Sequence, residues 1–173
     1  MKAPIKYPLI FLLLLGAIYM LSKIYFHIQY EKDFNKKLVT IPEFEFMDIY
    51  SKKAITDKNL KEGTPVLFIY LNTECHFCID ETQIIRENIK EFRNCQIVIV
   101  SIEEPDILVK YAENYNLKGL DNLFFLYDKD LKFEEIFGES PFPSSFVYGK
   151  KGKLSKIFKG KPRMDDLLKQ INK

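Results

Sequence analysis

The sequence predicts an α/β fold: a mixed sheet with helices on both faces, preceded by one N-terminal transmembrane helix. Three observations predict it. Short apolar runs at residues 66–71, 97–100 and 123–127 are separated by stretches with helical spacing. That alternation implies a partly parallel sheet covered on both faces. Near the C-terminus, residues 145–148 and 154–158 flank Gly149-Lys150-Lys151-Gly152, a hairpin signal that makes the sheet mixed. Ahead of these lies an almost uninterrupted apolar run at residues 7–21.

The leading run follows Lys2 and Lys6 and, after Ser22 and Lys23, continues through Ile24-Tyr25-Phe26-His27-Ile28. A bilayer asks for about 20 apolar residues, which residues 7–28 supply if Lys23 snorkels to an interface. Tyr19, Tyr25 and Phe26 suit an interfacial belt, and His27 reads as an interfacial residue rather than a ligand. No small-x-small cleavage site follows the apolar core, so a retained signal anchor is expected rather than a cleaved signal peptide. Lys32, Lys36 and Lys37 follow the span, and charge therefore does not set the orientation. Placement of the soluble part outside the cytoplasm follows from the signal-like layout. The expected organisation is an anchor at residues 1–28, a polar stalk at 29–39 and one α/β domain at 40–173.

Within that domain, Ile41-Pro42-Glu43-Phe44-Glu45-Phe46 alternates like a strand, with Pro42 marking an edge. Val66-Leu67-Phe68-Ile69-Tyr70-Leu71 reads as a central strand buried on both faces. A helix is expected from Cys75 to about Phe92, then a strand at 97–100. Pro105 opens a helix carrying Ile107, Leu108, Tyr111, Ala112 and Tyr115. A third strand at 123–127 and a short helix at 133–137 precede the hairpin. Met164, Leu167, Leu168 and Ile171 form the apolar face of a closing helix placed just after Pro162.

Composition narrows the function. The chain has 173 residues, 47% hydrophobic and 29% charged, with a net charge of +2. This is a globular balance with no field that would recruit nucleic acid. Lys150-Lys151-Gly152-Lys153 is the strongest basic run and sits in a turn, where exposed lysines are ordinary. Three cysteines are too few for a disulfide scaffold.

Two of those cysteines stand in Cys75-His76-Phe77-Cys78, at the start of a helix, where they can close a small disulfide across the first turn. Unpaired N–H groups and the positive dipole end favour a thiolate at the first position, and the thiolate is the attacking species in exchange. Cys75 is thus the expected attacking cysteine and Cys78 the resolving one. Protonated His76 favours the Cys75 thiolate and Glu74 opposes it. A helix terminus contributes about 0.3–1 kcal/mol, so these opposing influences are of similar size. Zinc would need four ligands, and only Cys95, His27 and His76 remain; no metal is expected. An inert structural disulfide is the other alternative. Cys95 opens a buried strand and reads as a small packed hydrophobe.

On these residues the chain resembles the thioredoxin superfamily, and within it the membrane-tethered TlpA/ResA-like oxidoreductases of the bacterial cell envelope. Ile41-Pro42-Glu43-Phe44 is similar to the family's first strand, and residues 70–78 to its strand and redox turn. Glu81, three residues after Cys78, matches the family's glutamate, and Phe142-Pro143-Ser144-Ser145-Phe146-Val147-Tyr148 its cis-proline segment. The resemblance implies a thioredoxin-like domain over residues 40–173. It implies Pro143 as a cis-proline facing Cys75 and Cys78, and Phe142 as a residue presenting its backbone to an extended substrate. It implies Glu81 as a buried carboxylate that tunes the thiols or relays protons, the alternative being a solvent-facing helix glutamate. His76 and Phe77 are expected to face substrate as well.

The activity so implied is disulfide exchange with protein thiols outside the cytoplasm, with reduction favoured over oxidation and cytochrome c maturation as one setting. It needs no cofactor beyond the redox-active disulfide. The partners are protein thiol or disulfide substrates and a membrane electron donor or acceptor, with no nucleic acid. The implied location is the cytoplasmic membrane, single-pass, with the domain on the periplasmic side. Two alternatives stay open: a peptide-binding module with an inert disulfide, and a peroxide-reducing redoxin. The chain departs from the family at Glu74, where tryptophan is usual, and in its His-Phe dipeptide, which lacks the common proline. Peroxiredoxins match less well, since Asn72 and Phe68 occupy the positions of their threonine and proline.

Overall fold

A computed structural model describes residues 6–173; Lys2 lies outside the described residues. Helix α1 (Lys6–Lys37) contains an apolar span, Ile10–Tyr30, of 21 residues with mean hydropathy 1.7. At about 1.5 Å per residue it is roughly 31 Å long, matching a hydrocarbon core of about 30 Å. Its length and composition fit a membrane anchor. The polar Ser22 is accommodated because its hydroxyl donates to the Tyr19 carbonyl at 2.7 Å. Lys23 Nζ lies 6.0 Å from the Tyr19 ring centroid. The helix continues unbroken beyond the span to Lys37, and a separate compact unit begins at Leu38.

That second unit holds a seven-stranded sheet of β1 (Glu45–Asp48), β2 (Ala54–Thr56), β3 (Val66–Tyr70), β4 (Gln96–Ser101), β5 (Leu123–Tyr127), β6 (Ser144–Tyr148) and β7 (Leu154–Lys159), in the spatial order β2-β1-β5-β4-β3-β6-β7. Strands β5, β4 and β3 are parallel, and the remaining pairings are antiparallel. Strands β3 and β4 are buried along their whole length because both faces are covered. On one face Leu67, Ile69, Ile97, Ile99, Phe125 and Val147 meet α2 (His76–Glu87), α3 (Pro105–Asn114) and α5 (Met164–Ile171). The other face is aromatic. Phe68 packs on Phe44, Phe137 and Tyr148, while Tyr70 stacks on Phe133 at 4.1 Å. Helix α4 (Phe133–Phe137) and the segment around Phe44 supply that cover.

Three elements differ from expectation. Residues 41–44 are not a strand. Thr40 makes an isolated bridge to Lys153 and Ile41 N–H donates to Gly152; Phe44 and Phe46 then pack on the aromatic face, and ladder pairing starts only at Glu45. Their alternation reflects a segment laid on that face. Strand β2 carries no sequence signal, because three half-exposed residues cannot alternate visibly. Helix α2 ends at Glu87 rather than near Phe92. The Asn88 side-chain amide donates to the Ile84 carbonyl at 2.8 Å, and a 3-10 turn, Ile89–Phe92, follows.

Candidate active site

The buried β3 runs out at Tyr70, and a short turn delivers the chain to α2. Asn72 builds that turn. Its Oδ1 accepts from Glu74 N–H at 2.9 Å, and its carbonyl accepts from Cys75 N–H at 3.2 Å. Glu103 accepts from Thr73 N–H at 2.9 Å. Cys75 is the N-cap of α2, with extended backbone, and its carbonyl accepts from Cys78 and Ile79 N–H. Its half-buried side chain therefore stands beside the open end of the helix.

Cys78 sits one turn inside and is fully buried. Its thiol is pushed well above the usual range, first by burial, then by its hydrogen bond to the Cys75 side chain and by the charges of Cys75 and Glu81. Neither thiol is bonded in a disulfide. The Phe142–Pro143 peptide bond is cis, and Cys75 Sγ lies 3.8 Å from the Phe142 carbonyl oxygen. The Phe142 ring leans on Tyr70 at 4.7 Å, which fixes that carbonyl over the redox turn. Pro143 offers no N–H, and its own carbonyl is taken by Gly160 N–H at 2.8 Å.

Beneath the pair lies Glu81, 3% exposed. It is on the helix face of Cys78, three residues on. One carboxylate oxygen accepts from Ser145 Oγ–H at 2.6 Å, while Oε2 has no partner. Burial pushes its pKa up to about 7, against the pull of Ser145 and Lys161. Lys161 pairs with Asp80 at 2.8 Å and holds that carboxyl below its ordinary value. His76, 83% exposed at its side chain, lies 4.0 Å from the same Asp80 oxygen, and Phe77 is 58% exposed. The two form a solvent-facing rim on the first turn.

The model of the AhpC/TSA family matches residues 39–157. The chain belongs to that thioredoxin-like family. Over 170 residues it is 29% identical to the thiol-disulfide oxidoreductase ResA of Bacillus thuringiensis subsp. konkukian, covering 94% of this chain and 93% of the relative. It is 30% identical over 136 residues to the ResA of Bacillus anthracis, at 75% of each. A secreted Mycobacterium tuberculosis disulfide oxidoreductase shares the fold, with a TM-score of 0.64 at 16% identity over 79% of this chain and 97% of that one. The chain is a thioredoxin-like thiol–disulfide oxidoreductase.

In this family member the structure gathers Cys75, Cys78, Glu81, Phe142 and Pro143 at one end of the sheet, with His76 and Phe77 on the outer rim. Of the two placements open for Glu81, it adopts the buried one. Cys95 is elsewhere. It precedes Gln96, which pairs with Val66 at the start of β3, so it lies at the opposite end of the sheet. There it is 1% exposed, and burial pushes its thiol up to about 12. Ser145, Asp80 and Lys161 were not singled out by the sequence. Ser145 could have been, since it stands two residues after Pro143 on a strand paired with β3. Among the described residues no group of three or more His, Cys, Asp or Glu could hold a metal.

Proposed function

We propose that Cys75 and Cys78 are the redox pair and that the protein reduces disulfides of protein substrates outside the cytoplasm. The observation that carries this is the pairing of a half-exposed Cys75, at the helix N-cap and against the Phe142 carbonyl, with a buried Cys78 beside it. The Cys75 thiolate attacks a substrate disulfide, forming a mixed disulfide and releasing one substrate thiolate. Cys78 then loses its proton and attacks Cys75 Sγ. The second substrate thiolate leaves, and the Cys75–Cys78 disulfide holds the two electrons' worth of oxidation. Because Cys78 resists ionisation, a proton acceptor is needed at that step. Glu81, near neutrality in its pKa and with Oε2 unpartnered, is the group we assign.

Phe142 and Pro143 form the wall along which an extended substrate lies, and His76 and Phe77 supply the exposed rim it meets. Residues 1–28 anchor the chain in the cytoplasmic membrane. Residues 29–39 are a stalk, helical to Lys37, and residues 40–173 are the catalytic domain on the periplasmic side. A membrane dithiol donor returns the pair to its reduced state, since each turnover leaves Cys75 and Cys78 joined as a disulfide. Peroxide reduction is disfavoured by Asn72, whose side chain is engaged with Glu74 N–H three residues ahead of the attacking cysteine.

The reduction potential of the pair, measured on the full chain in detergent against defined glutathione or dithiothreitol ratios, tests the direction. A reductant is expected below about −180 mV, toward the −270 mV of thioredoxin; a value near −120 mV would make the protein an oxidant instead. Insulin reduction with dithiothreitol should be lost in Cys75→Ser.

A further inference from the structure

At the end of the sheet opposite the redox pair lies a cationic surface that the chemistry does not use. Strand β6 connects the two ends. Ser144 pairs with Tyr70 beside the redox turn, and Tyr148 pairs with Val66 at the far end, about 14 Å away by strand geometry. Beyond Tyr148 the turn presents exposed Lys150 and Lys151, and Lys153 after it is exposed too. Lys61, Lys150 and Lys151 line a recess of about 400 Å³, against the two acids Asp57 and Glu62. Lys61 and Lys150 line a second recess together with Arg93. The cations therefore outnumber the acids, and among the described residues no salt bridge to Lys150, Lys151 or Lys153 is found.

The same turn is where the chain arrives from the apolar span. Leu154 N–H donates to Val39, and Ile41 N–H donates to Gly152. The span ends at Tyr30 and the helix at Lys37. Those seven residues cover about 10 Å, little more than the roughly 5–8 Å thickness of one headgroup layer. The chain thus enters the domain beside the lysine turn, and the tether between the span and that entry point is short.

We infer that this end of the domain docks on anionic phospholipid headgroups, through Lys150, Lys151 and Lys153 with Lys61 beside them. The inference rests on the membrane anchor proposed above. Docking holds Cys75 and Phe77 on the side away from the bilayer, open to protein substrates. Each lysine brought to an anionic surface favours the docked state about fivefold, so three favour it on the order of a hundredfold.

The test is amide hydrogen exchange of the 149–153 turn in the full chain, reconstituted in nanodiscs of phosphatidylcholine alone or with phosphatidylglycerol. Exchange of Lys150 and Lys151 is expected to slow about fivefold or more in the anionic discs. The protection should vanish at about 0.5 M NaCl, where the Debye length is near 4 Å. The K150E/K151E/K153E variant should exchange alike in both discs while reducing insulin at the wild-type rate in phosphatidylcholine. Equal exchange of the wild type in both lipids, with the protein firmly incorporated, overturns the docking and leaves the anchor standing. Protection by free inorganic phosphate in phosphatidylcholine discs, equal to that in anionic discs, also overturns it, because a soluble ion would then suffice. A chain that fails to enter discs at all overturns the anchor and the docking together.

Discussion

Replacing Glu81 by glutamine removes a titrating group and little else. The amide keeps an oxygen for the Ser145 hydroxyl, which donates to Oε1 at 2.6 Å, and it is neutral at every pH. The wild-type carboxyl rises from 4.5 to about 7 on folding because it is buried. At about 1.4 kcal/mol for each tenfold change in proton affinity, that rise is worth about 3 kcal/mol of pH-dependent stability. The sign follows from which state holds the proton. Below pH 4.5 folded and unfolded chains both carry it, and the contribution is fully present. Between 4.5 and about 7 the unfolded chain has released it while the folded chain retains it, so the unfolding free energy falls as pH rises. Above about 7 the folded carboxyl ionises too, and the loss is complete. Urea unfolding of the reduced protein, wild type and Glu81→Gln, is measured at steps through this window. The wild type should lose about 3 kcal/mol relative to the variant between the low and high ends. Groups common to both proteins cancel in that difference. Two curves that stay parallel would refute a buried, protonated Glu81.

Three further outcomes follow from the same geometry. Lys161→Met removes the charge that draws the Glu81 pKa down, so the pH at which the wild-type loss is complete should move upward in the same titration. Cys95→Ala should leave disulfide exchange intact in an insulin-reduction assay and cost about 1 kcal/mol in urea unfolding, the scale of a small core truncation; turnover loss like that of Cys75→Ser would refute its placement at the far end of the sheet. The full-length chain should remain in the membrane fraction after an alkaline carbonate wash, whereas release of a shortened soluble form would identify residues 1–28 as a cleaved signal.

Much of this was legible in the sequence, for definite reasons. Strands buried on both faces read as unbroken apolar runs, and so β3, β4 and β5 were placed within a residue. Pro105 and Pro162 marked helix starts because proline is tolerated only in the first turn or outside it. Ala54-Ile55-Thr56 escaped because a three-residue edge strand needs only its partner, Glu45-Phe46-Met47, to form. In the site, the cysteine spacing at a strand-to-helix turn was readable locally. The burial of Glu81 was not. It shows only in the folded contact with Ser145, 64 residues away. Residues 41–44 misled because alternation reports which side chains are buried, and Phe44 is buried with no ladder beneath it, whereas Phe46 lies in β1.

The central claim is the division of labour between the two cysteines, and covalent capture of partners tests it most directly. Cys78→Ser leaves the attacking thiol at the helix N-cap but removes the one that resolves the mixed disulfide. In cells carrying that variant, partners should be trapped on Cys75 as adducts that reductant dissolves. Cys75→Ser should trap none, because Cys78 is fully buried. Capture by Cys75→Ser and not by Cys78→Ser would reverse the roles; capture by neither would contradict the account.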